Sequence, residues 1–136
     1  MGKALGIDYG TKRTGIAITD AMQIIPSGLT TVATHTLDEF ISNLVQKEAI
    51  ECFVVGDPKN LDGTATDSTG HVNGFVKRLQ KTHPTIDVHQ MDERFTSKIA
   101  KQSILASGVK KKGRQNKALV DEVSATIILQ NYLDYK

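Results

Sequence analysis

One change in the hydrophobic pattern limits the fold of this chain more than any other feature of the sequence. The first part carries short apolar runs, ALGIDYG and TGIAITD, joined by the polar turn GTKR, which is typical of a β-hairpin. A third run, GLTTVA, follows Pro26, a residue that central strands exclude. The segment THTLDEFISNLVQKEA then places apolar residues at the helical spacing i, i+3, i+4, i+7 and i+8. The period thus changes from strand to helix, which predicts an antiparallel meander followed by helical units.

Strands and helices alternate after the first helix, which is predicted to begin at a capping box formed by Thr36 and Glu39. CFVVG is a continuous apolar run that predicts a strand buried on both faces. The remaining predicted elements are a helix ending before Pro84, the strand TIDVHQM, the helix TSKIAKQSILAS, the basic loop VKKKGRQNK and the largely apolar helix ALVDEVSATIILQNYLDY. This order predicts a single α/β domain over 1–136, with a mixed five-stranded sheet of three antiparallel and then two parallel strands and helices on both faces.

Composition restricts the partners of the chain. The net charge is only +2, so a site for a polyanion must come from local clusters of basic residues. The single cysteine, Cys52, lies in an apolar run and can form no internal disulfide, which is typical of a reducing compartment. No apolar run approaches the ~20 residues that span a bilayer, and MGKALGID lacks the layout of a signal peptide. We expect a cytoplasmic protein with no membrane partner.

Asp8 interrupts the first apolar strand just before the glycine turn. Because side chains alternate along a strand, Asp8 shares a face with Gly6 and Gly10, while Ile7 and Tyr9 point the other way. A face without bulky side chains predicts room for an ion or a substrate phosphate. The alternative is a turn aspartate that accepts hydrogen bonds from backbone N–H groups. The local pattern leaves both interpretations open.

Two more acidic positions have the same ambiguity. MDERFT follows the last predicted strand, where open α/β sheets place their chemistry, and strand parity does not choose between Asp92 and Glu93. Asp92 is alternatively the N-terminal partner of the helix that follows. In the final helix, Asp121 lies on an apolar stripe with Ala125, Ile128 and Tyr132. A carboxylate on such a stripe needs a cationic partner, Arg13 or Arg94, or a metal ion.

Acidic groups from three elements are expected to meet at one edge of the sheet. Hard divalent cations such as Mg²⁺ prefer oxygen ligands, and two ions about 4 Å apart support phosphodiester hydrolysis. The four histidines are scattered and have no zinc-type spacing with Cys52. Walker, GxSxG and GxGxxG motifs are all missing from the sequence.

Four ordered motifs, GIDYGTKRTGIAITD, VVGDPKNLDGT, DERFTS and DEVSATIILQNYL, make the chain resemble the YqgF family over nearly its whole length. This family is also called RuvX and is described both as RuvC-like Holliday junction resolvases and as pre-16S rRNA nucleases. The resemblance implies a ribonuclease H-like fold and a metal-dependent nuclease that uses Mg²⁺ or Mn²⁺. By the same resemblance the catalytic and metal-binding residues are Asp8, Glu93 and Asp121, so Glu93 is chosen over Asp92.

The resemblance also assigns two loops. The turn after the first strand is matched by Gly10, Thr11 and Lys12, and the GxPxxxDG loop by Gly56, Pro58, Asp62 and Gly63. Two residues depart from the family pattern. Asp57 stands where an apolar residue is common and adds a negative charge near the loop, and Ser124 stands where alanine is usual.

Nucleic acid is the expected partner, with structured RNA favoured and branched DNA possible. The expected contacts are Lys12, Arg13, Arg94, Lys110, Lys111, Lys112, Arg114 and Lys117. Most of these residues belong to the basic loop, which suits a phosphate backbone and predicts salt-sensitive binding. A charge run is alternatively a solvated surface loop.

The leading hypothesis is an endonuclease that processes the 5′ end of pre-16S rRNA. The first alternative is a Holliday junction resolvase acting in recombination and repair, which must be a symmetric dimer, whereas RNA processing is compatible with a monomer or a weak homodimer. A non-catalytic nucleic-acid-binding module is the second alternative. GIDYGT also resembles the phosphate-binding hairpin of the actin and sugar-kinase group, but 136 residues leave no room for the two lobes of that group.

Overall fold

The structure is a computed structural model that describes residues 2–57, 69–92 and 117–135, with the backbone alone at 57, 69, 92, 117–121 and 135. Its elements, in chain order, are β1 Lys3–Asp8, β2 Arg13–Thr19, β3 Pro26–Ala33, a 3₁₀ turn Thr34–Thr36, α1 Leu37–Lys47, β4 Ile50–Asp57, α2 Thr69–Thr82, β5 Asp87–Asp92 and α3 Lys117–Tyr135. The predicted helix TSKIAKQSILAS and all of the basic loop except Lys117 lie outside the described residues.

The strands form one five-stranded sheet in the order β3-β2-β1-β4-β5. β1 pairs antiparallel with β2, and β2 with β3, whereas β4 runs parallel to both β1 and β5. The predicted mixed sheet, with three antiparallel and then two parallel strands, is therefore confirmed. Pro26 is the first residue of β3, an edge strand, where a missing N–H is tolerated.

Two apolar layers cover the two faces of the sheet. On one face α1 and α2 pack against the sheet through a core that includes Ile7, Leu37, Phe53 and Phe75. On the other face α3 packs through Ala125, Ile128 and Leu129 against small or β-branched residues of the sheet. Only Gln130 and Asp134 are exposed among the described side chains of α3, which agrees with the burial predicted for this helix.

The start of α1 is where the sequence predicts, but the predicted capping box is wrong. Thr36 occupies the N-cap position without a side-chain capping hydrogen bond. Its hydroxyl instead donates to the Ala33 carbonyl oxygen at 2.7 Å, because the 3₁₀ turn directly before the helix brings that carbonyl within reach. Among the described residues, no helix is both long enough and apolar enough to cross a membrane.

Candidate active site

The candidate site lies at the edge of the sheet where the three parallel strands end. β1 ends at Asp8, β4 at Asp57 and β5 at Asp92. Asp57 and Asp92 are paired directly across β4 and β5. Since carboxyl ends of parallel strands meet at one edge, three acidic positions gather there. Asp8, half-buried, is the one whose side chain the structure describes.

The predicted alternation along β1 is confirmed. Ile7 belongs to the core under α1 and α2, and the Tyr9 ring stacks on Phe75 of α2 with 4.7 Å between centroids. Gly6 faces the opposite side, where α3 lies. Asp8 has the parity of Gly6, so the carboxylate is on the α3 face of the sheet.

The direction of α3 brings its first turns towards Asp8. Near the start of β1, Cys52 of the neighbouring strand lies beside Ala4, and its thiol is 3.7 Å from the hydroxyl of Tyr132. Further along β1, a Cβ atom at Gly6 would lie 2.9 Å from the Ala125 carbonyl oxygen. The helix therefore runs antiparallel to β1. One helical turn before Ala125 covers about 6 Å, as do the two strand residues from Gly6 to Asp8, and that turn begins at Asp121.

The expectation that Gly6 leaves room for an ion is wrong. A Cβ atom there would lie 2.5 Å from Leu129 Cγ, so α3 fills the space that the missing side chain leaves. Gly10 is likewise not open, because a Cβ atom would collide with the Arg13 carbonyl oxygen. These glycines permit close packing and a tight turn, and the site lies beyond Gly6, at the strand end.

The packing of β5 shows which face of the sheet its residues point to, a question that the sequence leaves open for Asp92. Ile86 and Val88 pack against the core under α1 and α2, whereas Met91 packs against the α3 core. The His89 ring also lies on the α3 side, 5.2 Å from the Tyr132 ring. Position 92 therefore has the parity of Val88, opposite to the face of Asp8. Glu93 and Arg94 lie outside the described residues.

Two predicted nucleic-acid contacts are close to Asp8. Lys12 is exposed on the turn after β1, and Arg13, half-buried, is the first residue of β2. Lys117 begins α3, at the end of the helix that lies nearest the strand ends. The other predicted contacts, Arg94, Lys110, Lys111, Lys112 and Arg114, lie outside the described residues. So do Pro58, Asp62 and Gly63 of the GxPxxxDG loop, whereas Gly56 is buried in β4.

The donor chemistry at the edge suits a hard cation. Among the side chains that the structure describes, which include neither Glu93 nor Asp121, no three His, Cys, Asp or Glu residues form a cluster that would hold a metal. What the backbone brings together on the α3 face is the carboxylate of Asp8 and the helical turn of Asp121. Carboxylate oxygens of this kind fit Mg²⁺ or Mn²⁺.

Glu122, the residue after Asp121, is half-buried, and its Cβ lies 3.6 Å from the position of a Cβ atom at Gly28 of β3. Glu122 is half-buried because α3 packs closely on β3 at Gly28. Helix and strand approach closely where β3 carries no side chain.

Two threonines next to the turn have a structural role that was not predicted from the sequence. Thr14 is fully buried at the start of β2, and Thr34 follows the end of β3. Their hydroxyls hold the turn that follows Asp8. The one available signal was a threonine inside the buried part of an otherwise apolar strand, where a hydroxyl needs a partner.

The second end of the hairpin holds a carboxylate of a different kind. Asp20, directly after β2, accepts hydrogen bonds from the backbone N–H groups of Ile25 at 2.8 Å, Ile24 at 2.9 Å and Met22 at 3.2 Å. These hydrogen bonds, with that of Ile25 the strongest, lower the pKa of Asp20 below its ordinary value. Asp20 is a turn aspartate, far from the candidate site.

Comparison with known proteins agrees with the geometry. The RuvX family model, described as Holliday junction resolvase, matches residues 2–135. A Flavobacterium johnsoniae protein is 53% identical over all of this chain and 99% of its own length, and a Phocaeicola vulgatus protein is 54% identical over all of this chain and 98% of its own length. Both carry the name "Putative pre-16S rRNA nuclease".

Solved structures share the fold at low sequence identity. RuvC of T. thermophilus, in complex with a Holliday junction substrate, matches with a TM-score of 0.61 at 13% identity, covering 99% of this chain and 96% of that one. The yeast mitochondrial Holliday junction resolvase Ydc2 matches with a TM-score of 0.52 at 11% identity, covering 97% and 82%. The predicted ribonuclease H-like class is thereby confirmed. From the family model and its close relatives together, this chain belongs to the RuvX family.

Proposed function

We propose that this chain is a metal-dependent endonuclease that processes the 5′ end of the 16S rRNA precursor in the cytoplasm. The observation that supports it most is the antiparallel packing of α3 on β1. That packing brings the turn of Asp121 to the face and the strand end where Asp8 lies. The names of the closely related proteins, which refer to pre-16S rRNA, favour RNA as the substrate.

In this proposal Asp8, Glu93 and Asp121 hold Mg²⁺ or Mn²⁺. Asp92, the last residue of β5, has the parity of Val88, which faces away from α3. This disfavours Asp92 as the third carboxylate and supports the choice of Glu93, the next residue in the sequence. When bound, the divalent cation would polarise the phosphate of the substrate and make a bound water easier to deprotonate.

The basic residues bind and orient the nucleic acid. Lys12 is exposed on the turn after Asp8, so its ammonium group can neutralise a backbone phosphate beside the carboxylates. Arg13 and Lys117 lie on the two elements that flank this edge. Arg94, Lys110, Lys111, Lys112 and Arg114 are proposed to extend this contact. Binding through such groups weakens as salt is added, with little dependence on base sequence.

Holliday junction resolution is the second candidate, favoured by the description of the matching family model. A resolvase cuts two strands related by a two-fold axis and therefore needs a symmetric dimer. RNA processing needs no second copy. The two candidates thus differ in substrate and in oligomeric state.

The test is cleavage of two labelled substrates, a 16S rRNA precursor fragment and a four-way DNA junction, with Mg²⁺, with Mn²⁺ and with EDTA. We expect cutting of the RNA with either metal and none with EDTA, by a protein that sediments as a monomer or a weak dimer. Cutting of the junction by a stable dimer would replace the RNA assignment with the resolvase. Binding of both substrates without cutting under any condition would contradict catalysis and favour the binding module.

A further inference from the structure

A ring of hydrogen bonds holds the turn that follows Asp8. The Gly10 N–H donates to Thr14 Oγ1 at 3.4 Å, and the Thr34 hydroxyl donates to the Gly10 carbonyl oxygen at 2.6 Å. The two threonine hydroxyl oxygens are 3.0 Å apart. In addition, the Thr34 N–H donates to the Lys12 carbonyl oxygen at 3.0 Å. Thr34, just after β3, therefore contacts the turn on both sides of Thr11.

The direction of each bond in the ring follows from the number of hydrogens. A hydroxyl has one hydrogen, and that of Thr34 is used on the Gly10 carbonyl, so Thr14 must donate to Thr34. Thr14 in turn accepts from the Gly10 N–H. Each hydroxyl then donates one bond and accepts one, and both polar groups of the Gly10 main chain are satisfied. Chains of hydrogen bonds with one direction strengthen each other.

The conformation of the turn depends on the ring, because few other interactions of the described residues would hold the turn if these hydrogen bonds were lost. Gly10 cannot carry a side chain, since a Cβ atom would collide with the Arg13 carbonyl oxygen. Lys12 is exposed and projects from the same turn, two residues after Gly10. The hydroxyls of Thr14 and Thr34, the Thr34 N–H and the backbone pairing of Arg13 with Ala33 tie this segment to the neighbouring strands.

We propose that Thr34 is a positioning residue for the nucleic-acid site, a role that rests on the function proposed above. Its hydroxyl and its N–H fix the main chain of Gly10 and Lys12, and thereby fix the point from which the Lys12 ammonium group reaches a backbone phosphate. Thr34 itself does not touch the substrate. A purely structural Thr34 would affect the stability of the hairpin but not the contact made by Lys12.

The experiment measures the Kd of the labelled 16S rRNA precursor fragment in EDTA, where no cleavage occurs. Thr34→Val removes the hydroxyl at similar volume, and Thr34→Ser keeps it. We expect Thr34→Val to weaken binding about fivefold and to reduce the salt dependence, the same result that we expect of Lys12→Ala, because one phosphate contact is lost. Thr34→Ser should bind within about twofold of the unchanged protein. Melting temperatures confirm that each variant is folded at the temperature of the assay.

The double variant separates positioning from stability. When Lys12 is already replaced by Ala, Thr34→Val should have no further effect on Kd, since the contact it supports is gone. Equal weakening by Thr34→Val with and without Lys12, or failure of Thr34→Ser to restore binding, would overturn the inference.

Amide hydrogen exchange without nucleic acid gives a readout independent of the proposed function. Thr34→Val should accelerate exchange of the Gly10 amide, while amides of β4 keep their wild-type rates. An unprotected Gly10 amide in the unchanged protein would overturn the ring itself. If the unchanged protein binds neither RNA nor the DNA junction, the proposed function fails first, and the positioning role fails with it.

Discussion

Two aspartates stand at opposite ends of the N-terminal hairpin, and the chain around them is organised in different ways. Asp20 follows β2, and its carboxylate accepts three backbone N–H groups, so the loop after the strand depends on it. Asp8 ends β1, but the N–H of Gly10 in the turn that follows donates to Thr14. The same residue type thus has a structural role at one end, while at the other end threonines hold the turn.

This difference bears on the alternative that the sequence left open for Asp8. A turn aspartate, accepting N–H groups from the next few residues, describes Asp20 well. At Asp8 the corresponding work is done by Thr14 and Thr34. These hydroxyls hold the turn after β1, and this supports the proposal that the half-buried carboxylate of Asp8, on the face where α3 approaches, serves catalysis.

The largest effect on stability is expected from filling the space at Gly6, which sets the distance between α3 and the strand of Asp8. Gly6→Ala places a methyl group against Leu129 and the Ala125 carbonyl, and we expect it to lower the free energy of unfolding by about 3 kcal/mol. Urea denaturation measures this change.

Gly28→Ala is the matched control for Gly6→Ala, since Gly28 also lies under α3. A Cβ atom there makes only ordinary contacts, the shortest 3.5 Å to Thr126 Oγ1. We expect no loss of stability, or a gain of about 0.5 kcal/mol from the stiffer unfolded chain. Equal losses for the two variants would show that α3 is not packed closest at Gly6.

A gain of stability is expected at Ser124 on the same helix. Its hydroxyl is buried and has no hydrogen-bond partner in the structure, in which residues 58–68 and 93–116 are not described. Ser124→Ala should therefore raise the free energy of unfolding by about 1 kcal/mol, because a buried polar group without a partner is removed. Thermal unfolding measures the gain.

Thr126→Ala serves as the control for Ser124→Ala. The Thr126 hydroxyl donates to the Glu122 carbonyl oxygen at 2.9 Å, so its removal brings no comparable gain. A destabilised Ser124→Ala variant would mean that the Ser124 hydroxyl has a partner after all.

The smallest effect concerns the pH dependence at Asp20. The backbone hydrogen bonds from Ile25 and Ile24 lower the folded-state pKa below the ordinary value of 3.8. The carboxylate of Asp20 therefore stabilises the fold above pH 3.8, and this contribution is lost as pH falls through the lowered pKa.

Asp20→Asn should accordingly have a shallower fall of melting temperature in the acid range than the unchanged chain. Melting curves at a series of pH values from near neutral down to strong acid measure the slope. An identical slope in both proteins would mean that the Asp20 hydrogen bonds do not persist in solution.

The sequence was sufficient for the sheet and for the faces of its strands. Alternation along β1, the double-sided burial of CFVVG and the stripe of Ala125, Ile128 and Tyr132 all depend on local periodicity, and the structure has them as predicted. Periodicity is a property of a single element, so it can be recognised in the sequence without knowing which elements pack against it.

Features that depend on distances between elements were not predictable. Gly6 was interpreted as an open face because the sequence does not reveal how closely α3 approaches. The cap of α1 was misassigned because a 3₁₀ turn offered the Thr36 hydroxyl a nearer acceptor. The roles of Thr14 and Thr34 depend on a contact between residues 20 positions apart, which no local pattern contains.

The most direct test of the account compares two isosteric substitutions, Asp8→Asn and Asp20→Asn, in cleavage of the 16S rRNA precursor fragment with Mg²⁺ and with Mn²⁺. Asp8→Asn should lower the rate about a thousandfold with either metal while RNA binding in EDTA is retained, because only the catalytic carboxylate is lost. Asp20→Asn should cleave within about twofold of the unchanged protein, as expected for a substitution remote from the site. Cleavage by Asp8→Asn at the rate of the unchanged protein would contradict the assignment of the active site to the end of β1.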